Sequence, residues 1–374
     1  MCKTILGGVN MLEGGDEQRA LTWEPRYFDL KRYPDAQCLD GSPGLYYFRR
    51  GAREARSKFV VFFEGGAFCH NDEDCAMRAS DYLGSTDPRY EQRINFARPS
   101  LGTSREENPL MADWNHVFVR YCDGAYWSGE RRDAVQVGDQ QVYYKGKFIL
   151  EALFDHLAST EGLDAATDVV ISGCSAGAIH VFVHLDAMRQ LLPTVTRVTG
   201  FPDSGFYLDI PMFTNLKRFA VAEEGHNATA LLNRGCLAEH AGDPEKCLIS
   251  SIAWRYVTTP LFAWQSRYDS DNLACQLDRE TATRGECVNH YGAGVAQEAI
   301  ALVESSPHMG IFLDSCSRHC QIGCPTIGNA PRDDSQSVQP LQAFAAWYEN
   351  KGPRFYEQEA AFPCHDCCPM TTIA

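Results

Sequence analysis

Short apolar, β-branched runs punctuate the chain, and between them apolar positions recur every third or fourth residue. Six runs read as strands: KFVVFF (Lys58–Phe63), HVFVRY (116–121), DVVIS (168–172), TRVTGF (196–201), LFAWQS (Leu261–Ser266) and GIFLDS (310–315). Continuous apolar runs bounded by turn residues suit strands that are covered on both faces. Within KGKFILEALFDHLAS, Phe148, Ile149, Ala152, Leu153 and Leu157 fall on one helical face. A second helix carries AIHVFVHLDAMRQLL and stops at Pro193, whose ring cannot continue it. LQAFAAWYENKG predicts a last helix on the sheet. Strands alternating with helices predict an α/β fold, a mostly parallel sheet flanked by helices.

Two stretches, about 67–115 and 204–260, break the alternation, and irregular segments of that length are usually insertions or covers. There is no internal repeat and no low-complexity segment. The expected organisation is an N-terminal segment (1–37), one domain over 38–350 carrying both insertions, and a Cys-rich tail (351–374).

Composition narrows the function. Hydrophobic residues at 44% and charged residues at 22% describe a globular chain with a sizeable core. Forty-nine acidic against thirty-four basic residues give a net charge of −15, which repels nucleic acid and anionic lipid surfaces. No run approaches the roughly 18 apolar residues of a membrane span, so a soluble protein, expected as a monomer, is the reading. The opening MCKTILGGVNMLEGGDEQ does not read as a signal peptide, because its apolar part is short and runs into acidic residues.

Sixteen cysteines argue for an oxidising compartment. They are dispersed along the chain, which suits loop-stapling disulfides, with Cys236–Cys247 and Cys275–Cys287 as plausible local bridges. Asn227-Ala228-Thr229 is a glycosylation sequon. The expectation is a secreted protein whose export signal lies outside this sequence; a cytosolic, zinc-stabilised protein is the alternative.

One stretch carries chemistry. In VVISGCSAGAIH, Gly173-Cys174-Ser175-Ala176-Gly177 stands directly after a strand and before a helix, the context of a nucleophile elbow. A serine hydroxyl needs a base, and the base an orienting carboxylate. In this fold they follow the serine in the order acid, then histidine. His319 follows the strand GIFLDS; its competing reading is a zinc ligand beside Cys316, Cys320 and Cys324. Asp269 follows LFAWQS, with Asp271 two residues on as a substitute; Asp203 and Asp314 lie at strand ends less suited to the acid. The oxyanion needs backbone donors, and Ala176 with Gly66 and Ala67 of FVVFFEGGAFCHN are the candidates. Gly65, Phe68, Ala178 and Asp203 are the expected substrate-binding positions. No metal or other cofactor is expected.

Taken together, CLDGSPGLYYF, FFEGGAFCHN, DWNHVFVRYCDGAYWSG, ISGCSAGAIHVFVHLD, PDSGFYLD, RYDSDN, LDSCSRHCQ and QPLQAFAAWY resemble the pectin acetylesterases of plants and their animal relative Notum. The resemblance implies an α/β-hydrolase-like fold, a secreted carboxylesterase without cofactor, a triad at Ser175, Asp269 and His319, and oxyanion positions at Gly66, Ala67 and Ala176. It favours Asp269 over Asp271 and disulfides over zinc. Cys174 and the CHN after Phe68 sit nearer the plant form, which implies acetyl esters of a pectin-like polysaccharide as substrate. The alternatives are a protein O-deacylase acting on a fatty acyl group, or a non-catalytic binding relative. The chain departs from the family at Ala67 and Phe68, where the plant enzymes typically have a third glycine and then tryptophan. It departs again at Ala178, where SAGG is usual, and at PDSGF, where SDAGF is usual.

Overall fold

A computed structural model describes residues 22–278, 280–320 and 338–364. Its strands are Glu24–Tyr27 (β1), Leu45–Arg49 (β2), Lys58–Phe63 (β3), Asn115–Val119 (β4), Val135–Val137 (β5), Gln140–Val142 (β6), Asp168–Cys174 (β7), Arg197–Asp203 (β8), Leu261–Ser266 (β9), Met309–Asp314 (β10) and Phe355–Glu357 (β11). Nine of them form one sheet in the order β1-β2-β4-β3-β7-β8-β9-β10-β11, and β5 pairs with β6 apart from it. Pairing is parallel from β4 to β11, while β1 and β2 add an antiparallel edge. All six predicted strands are present in this sheet, with ends displaced by no more than two residues.

The helices are Asp72–Ala79 (α1), Gly146–His156 (α2), Ala176–Gln190 (α3), Pro211–Asn215 (α4), Arg218–Val221 (α5), Arg234–Glu239 (α6), Ser250–Ala253 (α7), Ser270–Gln276 (α8), Gly285–Ser305 (α9) and Pro340–Tyr348 (α10). Successive strand residues serve opposite cores, as the two-residue period of a strand requires. Phe59, Val61 and Phe63 of β3 join one core with Ile149 of α2, Val181 of α3 and Val295 of α9. Val60 and Phe62 join the other with Phe201, Phe262 and, from α10, Leu341 and Phe344. The expected α/β-hydrolase-like layering, helices on both faces of a mostly parallel sheet, is therefore what the chain adopts. The 67–115 stretch holds α1 and two 3-10 turns, and the 204–260 stretch holds the short α4 to α7.

Four disulfides join described residues: Cys38–Cys122, Cys69–Cys75, Cys174–Cys320 and Cys236–Cys247. The expected bridge between Cys236 and Cys247 forms, but that between Cys275 and Cys287 does not, and both thiols are free. The Cys275 thiol instead turns back along α8 to the Asp271 carboxylate at 3.5 Å, while Cys287 is taken up in the first turn of α9. Cys2, Cys324, Cys367 and Cys368 lie outside the described residues.

Candidate active site

β7 ends at Cys174 and α3 begins at Ala176, so Ser175 alone makes the connection. Its backbone is held at φ 56° and ψ −120°. A non-glycine residue in such a sparsely populated region costs about 1–3 kcal/mol, which the surrounding packing has to impose. The flanking glycines permit that packing: a Cβ on Gly177 would lie 2.0 Å from the Phe63 carbonyl oxygen, and one on Gly65 would lie 2.9 Å from the Ser175 Cβ. The turn therefore brings the partly exposed serine, the N-terminus of α3 and the loop after β3 together. The Ser175 N–H donates across to the Asp203 carbonyl at 3.2 Å.

Asp269 is fully buried one turn beyond β9, where it caps α8 by accepting from the N–H groups of Asp271 (2.9 Å) and Asn272 (3.1 Å). The same carboxylate lies 2.8 and 3.0 Å from His319 Nδ1. An Nδ1–H donated to a carboxylate leaves Nε2 as the acceptor, the tautomer a general base requires. Burial opposes the charged imidazolium, but the hydrogen bond and charge of Asp269, with the charges of Asp271 and Asp203, outweigh it and raise the His319 pKa. The other acids considered are engaged elsewhere. Asp271 accepts from the Tyr207 hydroxyl at 2.6 Å, Asp314 from Trp264 Nε1 at 2.9 Å, and Asp203 from the Ser204 hydroxyl at 2.8 Å.

The Cys174–Cys320 disulfide joins the residue before Ser175 to the residue after His319, with their Cα atoms 5.6 Å apart. Ser204 adds a second tie, accepting from the Cys320 N–H at 3.0 Å. This overturns the zinc reading. Cys320 is consumed by the disulfide, Cys316 is disulfide-bonded too, and His319 Nδ1 faces Asp269; Cys324 lies outside the described residues. Another trio, Cys69, Cys75 and His226, comes within metal-ligand reach, but its two sulfurs are already bonded to each other.

The loop after β3 is tied back through its carbonyls. Arg78 donates to the Gly66 carbonyl and Tyr121 to the Ala67 carbonyl, each at 2.7 Å, and the Cys69–Cys75 bridge closes the loop's far end. Buried Arg120 pairs with Glu64 at its base. Among the described residues, the N–H groups of Gly66, Ala67 and Ala176 find no acceptor. Such donors beside a strained serine are what an oxyanion calls for. Ala67 has φ 56°, a left-handed conformation at the position where the resemblance leads one to expect glycine.

Of the expected substrate-binding residues, Gly65, against the Ser175 Cβ, and Phe68, three residues on in the same loop, are partly exposed. Ala178 is fully buried, and its methyl faces Gly205, where a Cβ would lie only 2.4 Å away. The extra methyl relative to SAGG thus packs against the PDSGF turn. Asp203 is also buried, at 5% exposure, and acts on His319 through its charge. Sequence reasoning missed Ser204 and the 174–320 pairing; the small residue after Asp203 and the cysteines flanking the serine and histidine were the available signals.

A family model described as Pectinacetylesterase matches residues 18–369. Pectin acetylesterase 5 of Arabidopsis thaliana is 28% identical over 357 residues, which cover 89% of this chain and 82% of that protein. Palmitoleoyl-protein carboxylesterase NOTUM of Schmidtea mediterranea is 25% identical over 311 residues, covering 79% of this chain and 58% of the relative. Among solved structures, the Wnt deacylase Notum from Drosophila matches with a TM-score of 0.76 at 22% identity, covering 94% of this chain and 100% of that one, a likeness of fold.

Proposed function

Because the chain belongs to the pectinacetylesterase family, we propose that it is a serine carboxylesterase that removes O-acetyl groups from a pectin-like polysaccharide. The observation that carries this reading is the Asp269 carboxylate on His319 Nδ1, with the histidine stapled beside a strained Ser175. His319 Nε2 takes the Ser175 proton as the Oγ attacks the acetyl carbonyl carbon. The oxygen that becomes negative is met by the N–H groups of Gly66, Ala67 and Ala176, each such donor typically worth about 3–4 kcal/mol in the transition state. Collapse expels the sugar oxygen, which leaves with the proton from His319. Water, deprotonated by the same histidine, then cleaves the acetyl-serine to acetate and free enzyme. Asp269 holds the tautomer and stabilises the imidazolium throughout.

The disulfides support synthesis through an oxidising, secretory route, and Asn227, partly exposed in the described structure, is the candidate glycosylation site. A fluorophosphonate probe should label the protein on Ser175 and fail to label Ser175→Ala. Acetate release from acetylated pectin should fall by about 10⁴-fold or more in that variant. A wild-type protein that binds the polysaccharide, takes no label and releases no acetate would be a non-catalytic relative. One that takes the label but cleaves only fatty acyl esters would be a protein O-deacylase.

A further inference from the structure

Lys217, between α4 and α5, has no exposed surface, and among the described residues no ion pair accounts for its burial. Its Nζ touches the Tyr126 hydroxyl and sits 3.4 Å from the ring centre of Phe68, 4.3 Å from that of Phe213 and 4.6 Å from that of Tyr126. Burying an amine is costly unless something replaces its water, and here three aromatic faces and one hydroxyl do so. Burial also holds its pKa well below the ordinary lysine value.

This cage lies on the seam between the two halves of the candidate site. Phe68 belongs to the loop whose Gly65 abuts the Ser175 Cβ. Phe213 stacks flat on Tyr207, with centroids 4.7 Å apart and planes within 9°. The Tyr207 hydroxyl donates to Asp271, whose own N–H donates to Asp269. Contacts therefore run unbroken from the Asp269 loop through Tyr207, Phe213, Lys217 and Phe68 to the oxyanion loop. Behind the front edge of Phe68 there is no slack, since Tyr126 is 0%, Tyr207 2% and Phe213 3% exposed. Interiors packed to this density do not open a channel without displacing side chains.

We propose, on the basis of the esterase reading, that this wall closes the acyl side of the site and restricts the enzyme to short acyl groups, with Lys217 as the residue that positions it. A long acyl chain on Ser175 has to pass Phe68 or Phe213, and both rings are held on the same amine. Methionine in place of Lys217 keeps length and apolar bulk but removes the nitrogen that meets the Tyr126 hydroxyl and the three ring faces.

The test is the ratio of kcat/KM for p-nitrophenyl octanoate to that for the acetate ester. Wild type should give a ratio below about 0.01, and Lys217→Met and Phe213→Ala should each raise it at least tenfold. A general loss of stability would depress both esters together and leave the ratio where it was. Should Lys217→Met fail to fold, Phe213→Ala and Phe68→Leu carry the same readout. A wild-type ratio near one, or an unmoved ratio in folded variants, overturns the wall. Failure of the esterase reading looks different, because no ester would then be hydrolysed and no fluorophosphonate label would form on Ser175.

Discussion

His319 is subject to opposing forces, and their balance has a measurable sign. Burial favours the neutral ring, whereas Asp269, Asp271 and Asp203 favour the charged one and prevail. In the proposed mechanism the neutral ring is the base, so kcat/KM should rise with pH through a midpoint above the ordinary histidine value of about 6.5. In Asp269→Asn the midpoint should move to lower pH, and the plateau should fall by about 10⁴-fold because the tautomer is lost. A pH profile of acetyl-ester hydrolysis in both proteins checks both expectations. Residues of this kind were legible in the sequence because chemistry dictates their types and order: a serine in an elbow, then an acid, then a histidine. Lys217 was not legible, since a lone lysine in a polar stretch reads as surface. The packing of Ala178 was not legible either. A motif tells which residue stands next to the nucleophile, but the facing Gly205 decides where its methyl goes.

Elements transmit position to those residues. The Cys174–Cys320 bridge spans 146 residues of chain, and closing a loop of that length restricts the unfolded state by about 4–5 kcal/mol in the chain-entropy account. Replacing both cysteines by serine should lower Tm by roughly 5–10 °C. It should also lower kcat at temperatures where the protein remains folded, because the histidine loop loses its anchor to the serine turn. Calorimetry and ester kinetics on the double variant test this, and an unchanged kcat would show that Ser204 alone suffices to hold the loop. Gly177→Ala should cost at least about 2 kcal/mol in a denaturation titration, since its new methyl would strike the Phe63 carbonyl. The central strands were readable because both faces of each are buried, which makes their apolar runs continuous. The edge strands β1 and β11 were not, because one or both faces mix polar with apolar residues. The long helix α9 also escaped, with Gly285, Gly292 and Gly294 interrupting its periodic pattern. Gly292 has its reason in packing, as Tyr268 lies where a Cβ would be.

For the whole molecule, net charge would set how the proposed polysaccharide substrate is met. At −15 it repels an acidic polysaccharide over distances that salt screens within about 8–10 Å. Hydrolysis of acetylated, de-methylated pectin should therefore accelerate as ionic strength rises from low values, in KM more than in kcat. A small neutral acetyl ester should show no such dependence, and parallel kinetics on the two substrates across a salt series would reveal it. The disulfide beside Ser175 has a further consequence, a topological one. With residues 174 and 320 joined, the backbone between them is a closed ring, and the serine and histidine sit on either side of its clasp. A protease that cuts any exposed loop inside the ring linearises it without releasing a fragment, and the clasp stays shut. The chain can thus be nicked across the insertion that carries Phe213 and Lys217 while the segments bearing Ser175 and His319 remain covalently joined through Cys174 and Cys320.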